Sequence, residues 1–229
     1  FFGRAQRVRR LANSLAESLG VPQAWRVDVA AVFSQLAYLS LPAHVSEAVY
    51  HREKLPPEIK IMLRELPTET LKIVDLIPGL EDVGEILQRL DVQPKFEPDD
   101  SSGIRASASI IRLALDYDYY KEQGHEDTLI LKTFESRQEI YAPFVIEALA
   151  AQLSNNASKF EMEELSYKKF MEGMILAEDL LLQESMLIAS SGADIDRHLL
   201  KVIKNYASCY SDDPFPKKIK VLIPVSYPK

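Results

Sequence analysis

Proline and glycine cut the first two-thirds of this chain into short pieces, and within each piece apolar residues recur every three or four positions. That spacing puts the apolar side chains on one face of a 3.6-residue helix, so the region predicts a stack of helices, each burying one stripe. Val8, Leu11, Leu15 and Leu19 mark such a stripe over residues 4 to 19. Gly20 suits the end of that helix and Pro22 the start of the next. A second helix over residues 23 to 39 is strongly apolar from Trp25 to Phe33, which predicts burial of much of its surface, with Pro42 as its stop. A third covers 43 to 53. Pro56 and Pro57 open a fourth, with Ile59, Met62, Leu63 and Leu66 on one side. Residues 67 to 76 predict a fifth, begun by Pro67 and broken by Pro78-Gly79, and residues 80 to 90 a sixth.

Periodicity then fails. From Asp91 to Gly103, two prolines, a glycine and several turn formers mark a surface loop. Helices resume over 105 to 122, 126 to 136 and 141 to 153. Ser154-Asn155-Asn156-Ala157-Ser158 is small and polar, the best place in the chain for a domain boundary. Beyond it, Met174 to Ala177 and Met186 to Ala189 are short apolar runs between turn signals and read as strands. Asp194 or Asp196 is placed to cap a helix ending near Ala207. Residues 218 to 224 alternate and stop at Pro224, which suits a closing strand. The expected architecture is mainly α: a helical domain over 1–153, then a small strand-containing α+β module over 159–229.

Of the 229 residues, 47% are hydrophobic, enough to bury a sizeable core. A net charge of −7 argues against a DNA or general nucleic-acid binder, which needs a basic stripe to displace phosphate counterions, and against adhesion to an anionic membrane. No apolar run reaches the roughly 18 residues that membrane insertion requires. There is no signal-peptide pattern. The single cysteine, Cys209, leaves no internal disulfide and fits a reducing cytoplasm. The chain opens without Met, so upstream sequence is expected before Phe1.

Five segments carry a resemblance, in order. Arg4-Ala5-Gln6-Arg7-Val8-Arg9-Arg10-Leu11-Ala12 comes first. The run Ala31 to Pro42, with Ser34-Gln35 and Tyr38, comes second. Glu58 to Pro67 is third, Ile77-Pro78-Gly79-Leu80 with the helix through Arg89-Leu90-Asp91 fourth, and Ala108 to Asp118 fifth. Over residues 1 to 150 this frame resembles the HD-GYP branch of the HD phosphohydrolases. The resemblance implies an HD-type helical bundle, and it implies which positions should ligate metal. Arg4 stands at the first ligand histidine, and Ser34 and Gln35 at the His-Asp pair. Tyr38 replaces a lysine. Glu65 or Leu66, before Pro67, takes the third histidine, Arg89 to Asp91 fall near two more, and Leu115 takes the ligand aspartate. Tyr117 and Asp118 match the family pattern, and no Gly-Tyr-Pro run follows. Leu165 to Asp179 resembles a small module that ends some bacterial response regulators with HD-type output domains, which implies a receiver domain before Phe1.

Phosphodiester hydrolysis on such a frame uses bound metal ions that polarise phosphate and generate hydroxide, held by imidazole and carboxylate groups. Arg4, Ser34, Gln35 and Leu115 do not supply that donor set. His44, His51, His125 and His198 all fall away from the family positions. His44 and His51 with Glu47 give too few donors for a closed metal site and read as surface residues. Asp116 and Asp118 are candidate leftover ligands, with the plainer reading that one pairs or caps and one is exposed. Glu97, Asp99 and Asp100 form an acidic solvated loop. Arg4, Arg7, Arg9 and Arg10 form a basic cluster that is either an anion site or, more simply, a solvated face or a contact with an upstream domain. Tyr117, Tyr119 and Tyr120 could stack on a base but read first as core and rim aromatics. Cys209 has no histidine in its segment to activate it.

Catalytic, cofactor-binding and metal residues are therefore expected to be none. The leading expectation is a catalytically inactive HD-GYP-like signalling output domain in a cytoplasmic bacterial two-component or cyclic di-GMP pathway. It would act through a protein partner or through dimerisation, under an upstream receiver. One alternative is a cyclic dinucleotide sensor that does not hydrolyse, with Arg4, Arg89 or Arg105 on the phosphates. The other is an active cyclic di-GMP phosphodiesterase with a rearranged metal site. Tyr38 is a candidate plug for the old pocket.

Overall fold

The structure is a computed structural model that describes residues 2–36, 38, 41–51, 53–90, 102–156, 160–183, 185–210 and 213–225. The chain divides into two compact units, residues 3–152 and residues 153–229. The first is a helical bundle and the second a small α+β unit, the mainly α architecture that periodicity predicts.

In the first unit the helices are α1 (Phe2–Ser18), α2 (Trp25–Leu36), α3 (Ala43–Tyr50), α4 (Pro57–Val74), α5 (Glu81–Gln88), α6 (Ile104–Glu122), α7 (Asp127–Glu135) and α8 (Pro143–Asn156). On α1, Val8 and Leu15 of the expected stripe are fully buried, joined by Ala12 and Ala16. The central element is α6, whose Ile104, Ala108, Ile110, Ile111, Leu113 and Ala114 are all buried. It packs against α2, α5 and α7. Its start is fixed by Gly103 at φ 70°, where an added Cβ would lie 3.0 Å from Cδ of Pro22. A side chain there would collide with the turn that links α1 to α2. Farther along, Phe134 of α7 is fully buried with its ring 4.3 Å from that of Tyr141.

One helical expectation is met and two need correction. α2 is described to Leu36, with residues 37, 39 and 40 of the expected helix outside the described residues, and it is buried or half-buried over most of its surface, as expected. Val27, Ala30, Ala31 and Gln35 form its buried face, while Trp25 and Val32 are exposed. The two helices expected on either side of Pro67 are one helix, α4. Pro67 removes one backbone donor, a cost of about 3 kcal/mol. The burial stripe nonetheless stays in phase across it, through Leu66, Thr70 and Val74, and packing carries the helix on. Ser154 to Asn156, expected to be linker, are the last residues of α8. Residues 157–159 and most of the expected 91–103 loop lie outside the described residues.

In the second unit, β1 (Phe160–Leu165), β5 (Ile219–Pro224) and β2 (Ile175–Leu176) form an antiparallel sheet in the order β1-β5-β2. β3 (Leu180–Leu182) and β4 (Met186–Ala189) form a two-stranded sheet. Helix α9 (Arg197–Ser208) is capped by Asp196, which accepts from the Leu199 amide at 2.7 Å. Asp194 instead bridges to Ile175. Met174, Leu176, Leu180, Leu182, Ile195, Ile203, Ile219 and Val221 close the core of this unit. Sequence patterning missed β1 and β3. β1 reads Phe-Glu-Met-Glu-Glu-Leu and is exposed at all but its two ends, so it lacks a buried face to announce it.

Candidate functional site

The bundle encloses a cavity of about 370 Å³. Helices α1 to α6 contribute its lining, each through a short stretch. Arg4 comes from the first turn of α1, and Ser34 and Gln35 from the last turn of α2. Leu66, Pro67 and Thr70 come from α4, Leu87 and Leu90 from α5 and the turn after it, and Arg112, Leu115, Asp116 and Tyr119 from α6. On α6 these four are spaced three, four and seven apart, which is one helical face. Tyr38 and Val49 complete the lining. Positions 4, 34, 35 and 115, where the resemblance puts lost ligands, thus meet on one surface although more than 100 residues separate the first from the last; of the looser candidates Leu66 and Leu90 join them, Glu65 and Arg89 are not in the lining, and Asp91 lies outside the described residues. Tyr38 reaches the wall but leaves the cavity open, so it is not a plug.

The polar groups of the wall have defined partners. Ser34 Oγ donates to the Ala31 carbonyl at 2.7 Å. A hydroxyl has one proton, so it can only accept from Gln35 Nε2, 3.1 Å away. This fixes the orientation of the Gln35 amide. Gln35 is 5% exposed, and its Oε1 has no hydrogen-bond partner among the described residues. Arg112 donates one Nη1–H to the Leu90 carbonyl at 2.8 Å. Asp116 Oδ2 accepts from the Tyr141 hydroxyl at 2.8 Å. Burial, and then the Asp116 charge, hold the Tyr141 phenol well above its ordinary range, so it stays a donor.

Divalent metal does not fit this donor set. Guanidinium is cationic, the Leu115 side chain has no lone pair, and hydroxyl and amide oxygens are poor substitutes for imidazole and carboxylate. Asp116 is a carboxylate on the wall, but it is committed to Tyr141. Among the described residues no group of three His, Cys, Asp or Glu side chains is placed to hold an ion.

The other candidates fall elsewhere. Asp118 is buried and takes Arg7 Nε at 2.5 Å and Arg7 Nη2 at 3.3 Å, with Arg4 Nε 3.6 Å away. Of the two aspartates, then, one pairs as expected, while Asp116 is half-buried in the cavity wall rather than exposed. Of the basic cluster on α1, Arg4 lines the cavity, while Arg7 and Arg9 are engaged by carboxylates of neighbouring helices. Arg7 ties α1 to Asp118 and Glu122 of α6, and Arg9 ties it to Asp28 of α2 at 2.5 Å. Asn13 also donates to Asp28. Tyr117 donates to Asp127, and Tyr120 packs edge-on against Tyr119, His125 and Phe134. His44, His51, His125 and His198 are exposed, and the Gln123 amide faces His51 Nδ1 at 3.3 Å. Cys209 is exposed just past α9. Glu97, Asp99 and Asp100 lie outside the described residues.

Of the arginines expected as phosphate arms, Arg4 lines the cavity. Arg89 is spent on a surface pair with Glu85 at 2.6 Å, and Arg105 is not among the lining residues. The cation missed by sequence reasoning is Arg112. Its spacing of three from Leu115 and four from Asp116 was the available signal.

Residues 1–91 match the family model described as HD domain. No curated protein matches the chain, and no solved structure matches it. That match ends within the segment after α5 and does not reach α6. No helix among the described residues is long and apolar enough to cross a membrane.

Proposed function

We propose that this protein is a catalytically inactive HD-GYP-like output domain of bacterial two-component signalling, working through contact with a protein partner or a second copy of itself. One observation carries the reading. Arg4, Ser34, Gln35 and Leu115, the residues that the resemblance sets at metal-donor positions, line one cavity. A bundle that keeps its frame and loses its donors retains a shape, and shape is what a partner reads. An upstream receiver would supply the control, consistent with the resemblance of Leu165 to Asp179 to the end of such regulators. A second reading, a cyclic dinucleotide bound without hydrolysis, draws its support from Arg4 on an open cavity wall. A rearranged phosphodiesterase would need donors that the wall does not offer.

The test pairs chromatography of cyclic di-GMP incubated with the protein and manganese or iron against light scattering of the protein alone and with its upstream receiver. The proposal expects unconverted dinucleotide and a change of mass on receiver activation. Turnover of the dinucleotide contradicts it.

A further inference from the structure

We infer that the outer face of α2 is the seat of a weak two-fold dimer, with a second copy of this chain as its occupant. The inference rests on the non-catalytic reading above only in taking association as the output of the domain, and it names the surface. α2 carries apolar residues on two opposite faces. Val27, Ala30, Ala31 and Gln35 form the buried one. Trp25, Val29, Val32 and Leu36 recur at spacings of four, three and four. At about 100° per residue these four fall in a narrow stripe on the other side of the helix. Trp25 is 47% exposed and Val32 is 40% exposed, while Val29 and Leu36 are half-buried. A helix that is apolar on both sides belongs between two layers. Helices α4, α5 and α6 pack against α2 and supply one layer, and the stripe that holds Trp25 and Val32 lacks the other.

Two observations select a second copy. The charges beside the stripe are answered within the fold, Arg26 by Asp82 at 2.5 Å and Asp28 by Arg9 at 2.5 Å. The face therefore calls for no oppositely charged partner, and two copies meet on it without burying an unanswered charge. The stripe also reads alike from both ends: large, small, small, large. An interface between identical subunits about a two-fold axis needs a patch that complements itself. An axis between Val29 and Val32 runs the two helices antiparallel. It sets Trp25 on the partner's Leu36 and Val29 on the partner's Val32, and the small pair at the centre allows close approach. Size then sets the strength. α2 has 12 residues and is about 18 Å long. One helix pair of that length falls short of the roughly 1,200 Å² at which stable interfaces begin, so the dimer is weak and depends on concentration.

Trp25 is the one tryptophan of the chain, so its emission reports directly on whether this face is covered. Light scattering and tryptophan emission are followed together on the full chain from about 1 μM to about 1 mM, the span over which a small interface associates. Mean mass is expected to climb toward that of a dimer, and the emission maximum to move to the blue in step. Val32→Glu sets two carboxylates against each other near the axis and is expected to weaken association about tenfold or more, with the emission shift lost over the same span. Val32→Ser is expected to weaken it several-fold, and it keeps the test open if Val32→Glu does not fold, which thermal melts verify. A mass that stays constant across the range overturns the inference. So does a rise in mass with unshifted emission, or equal association by the folded variants. Chromatography of cyclic di-GMP incubated with the same samples keeps the two claims apart. Turnover contradicts the non-catalytic reading, whereas unconverted dinucleotide with a mass that never rises contradicts the α2 dimer alone.

Discussion

Asp118 and Arg112 sit on the same helix, six positions apart, and are treated in opposite ways. Asp118 is buried against Arg7, with Arg4 close by, so its charge is answered inside the fold. Arg112 is answered by a backbone carbonyl and otherwise faces a cavity. A charge in a helical bundle can be cancelled so that α1 and α6 lock together, or it can be left for a solute. Burying an ion without a partner is expensive, and the first arrangement avoids that cost while the second relies on access to water or ligand. The ion pair belongs to the stability of the domain, whereas Arg112, for which no carboxylate partner is found among the described residues, lines the cavity.

The comparison breaks most visibly at the ion pair. Asp118→Ala leaves Arg7 facing a desolvated hole and should cost about 3–5 kcal/mol in urea unfolding. A loss below about 1 kcal/mol would mean that Glu122 and solvent already satisfy Arg7. Arg112→Gln should cost only about 1 kcal/mol, for one carbonyl bond. Equal destabilisation by the two substitutions would erase the distinction.

Tyr141→Phe sharpens the picture of the cavity wall at about 1 kcal/mol near neutral pH. The Tyr141 and Tyr117 phenols are both held above their ordinary range, burial being the main cause and the Asp116 and Asp127 carboxylates adding to it. The unfolded chain therefore releases these protons first. The stability they contribute is complete below about pH 10 and drains away as pH rises past it. The phenylalanine variants should flatten the alkaline limb of a pH–stability curve, and an unchanged limb would contradict the assignment. The smallest effect belongs to Asp28. Its carboxyl is held below the usual range by the Arg9 hydrogen bond, with Asn13 assisting. The stabilisation exists above the unfolded value near 4 and disappears as pH falls through the folded one. Asp28→Asn should cost about 0.5–1 kcal/mol at pH 7, given partial solvent screening, and progressively less as the pH falls below the unfolded value. A difference that persists in acid would point to packing instead of charge.

Much of this was legible in the sequence because three-and-four spacing survives wherever a helix buries one face. Val8 and Leu15 declare α1, and the alternation after Lys218 declares β5. Arg4, Ser34, Gln35 and Leu115, which the resemblance picks out from separate segments, line one cavity. What stayed hidden depends on contacts distant in sequence. Pro67 looks like a helix start until the continuous stripe through Leu66, Thr70 and Val74 is seen packed. The acidic β1 gains its order from pairing with β5, not from its own pattern. Arg9 looks solvated until Asp28 of α2 lies beside it, and Arg112 looks like any helix-surface arginine until Leu90 and the cavity frame it.

The account turns on whether the cavity can hold a divalent ion. Elemental analysis of the protein after gel filtration in manganese- or iron-supplemented buffer measures this directly, with Arg4→His, Ser34→His, Gln35→Asp and Leu115→Asp combined in one chain as the comparison. The unaltered protein should emerge with far less than one ion per chain, and the combined variant should retain more. An unaltered protein that keeps a full equivalent of metal would contradict the account.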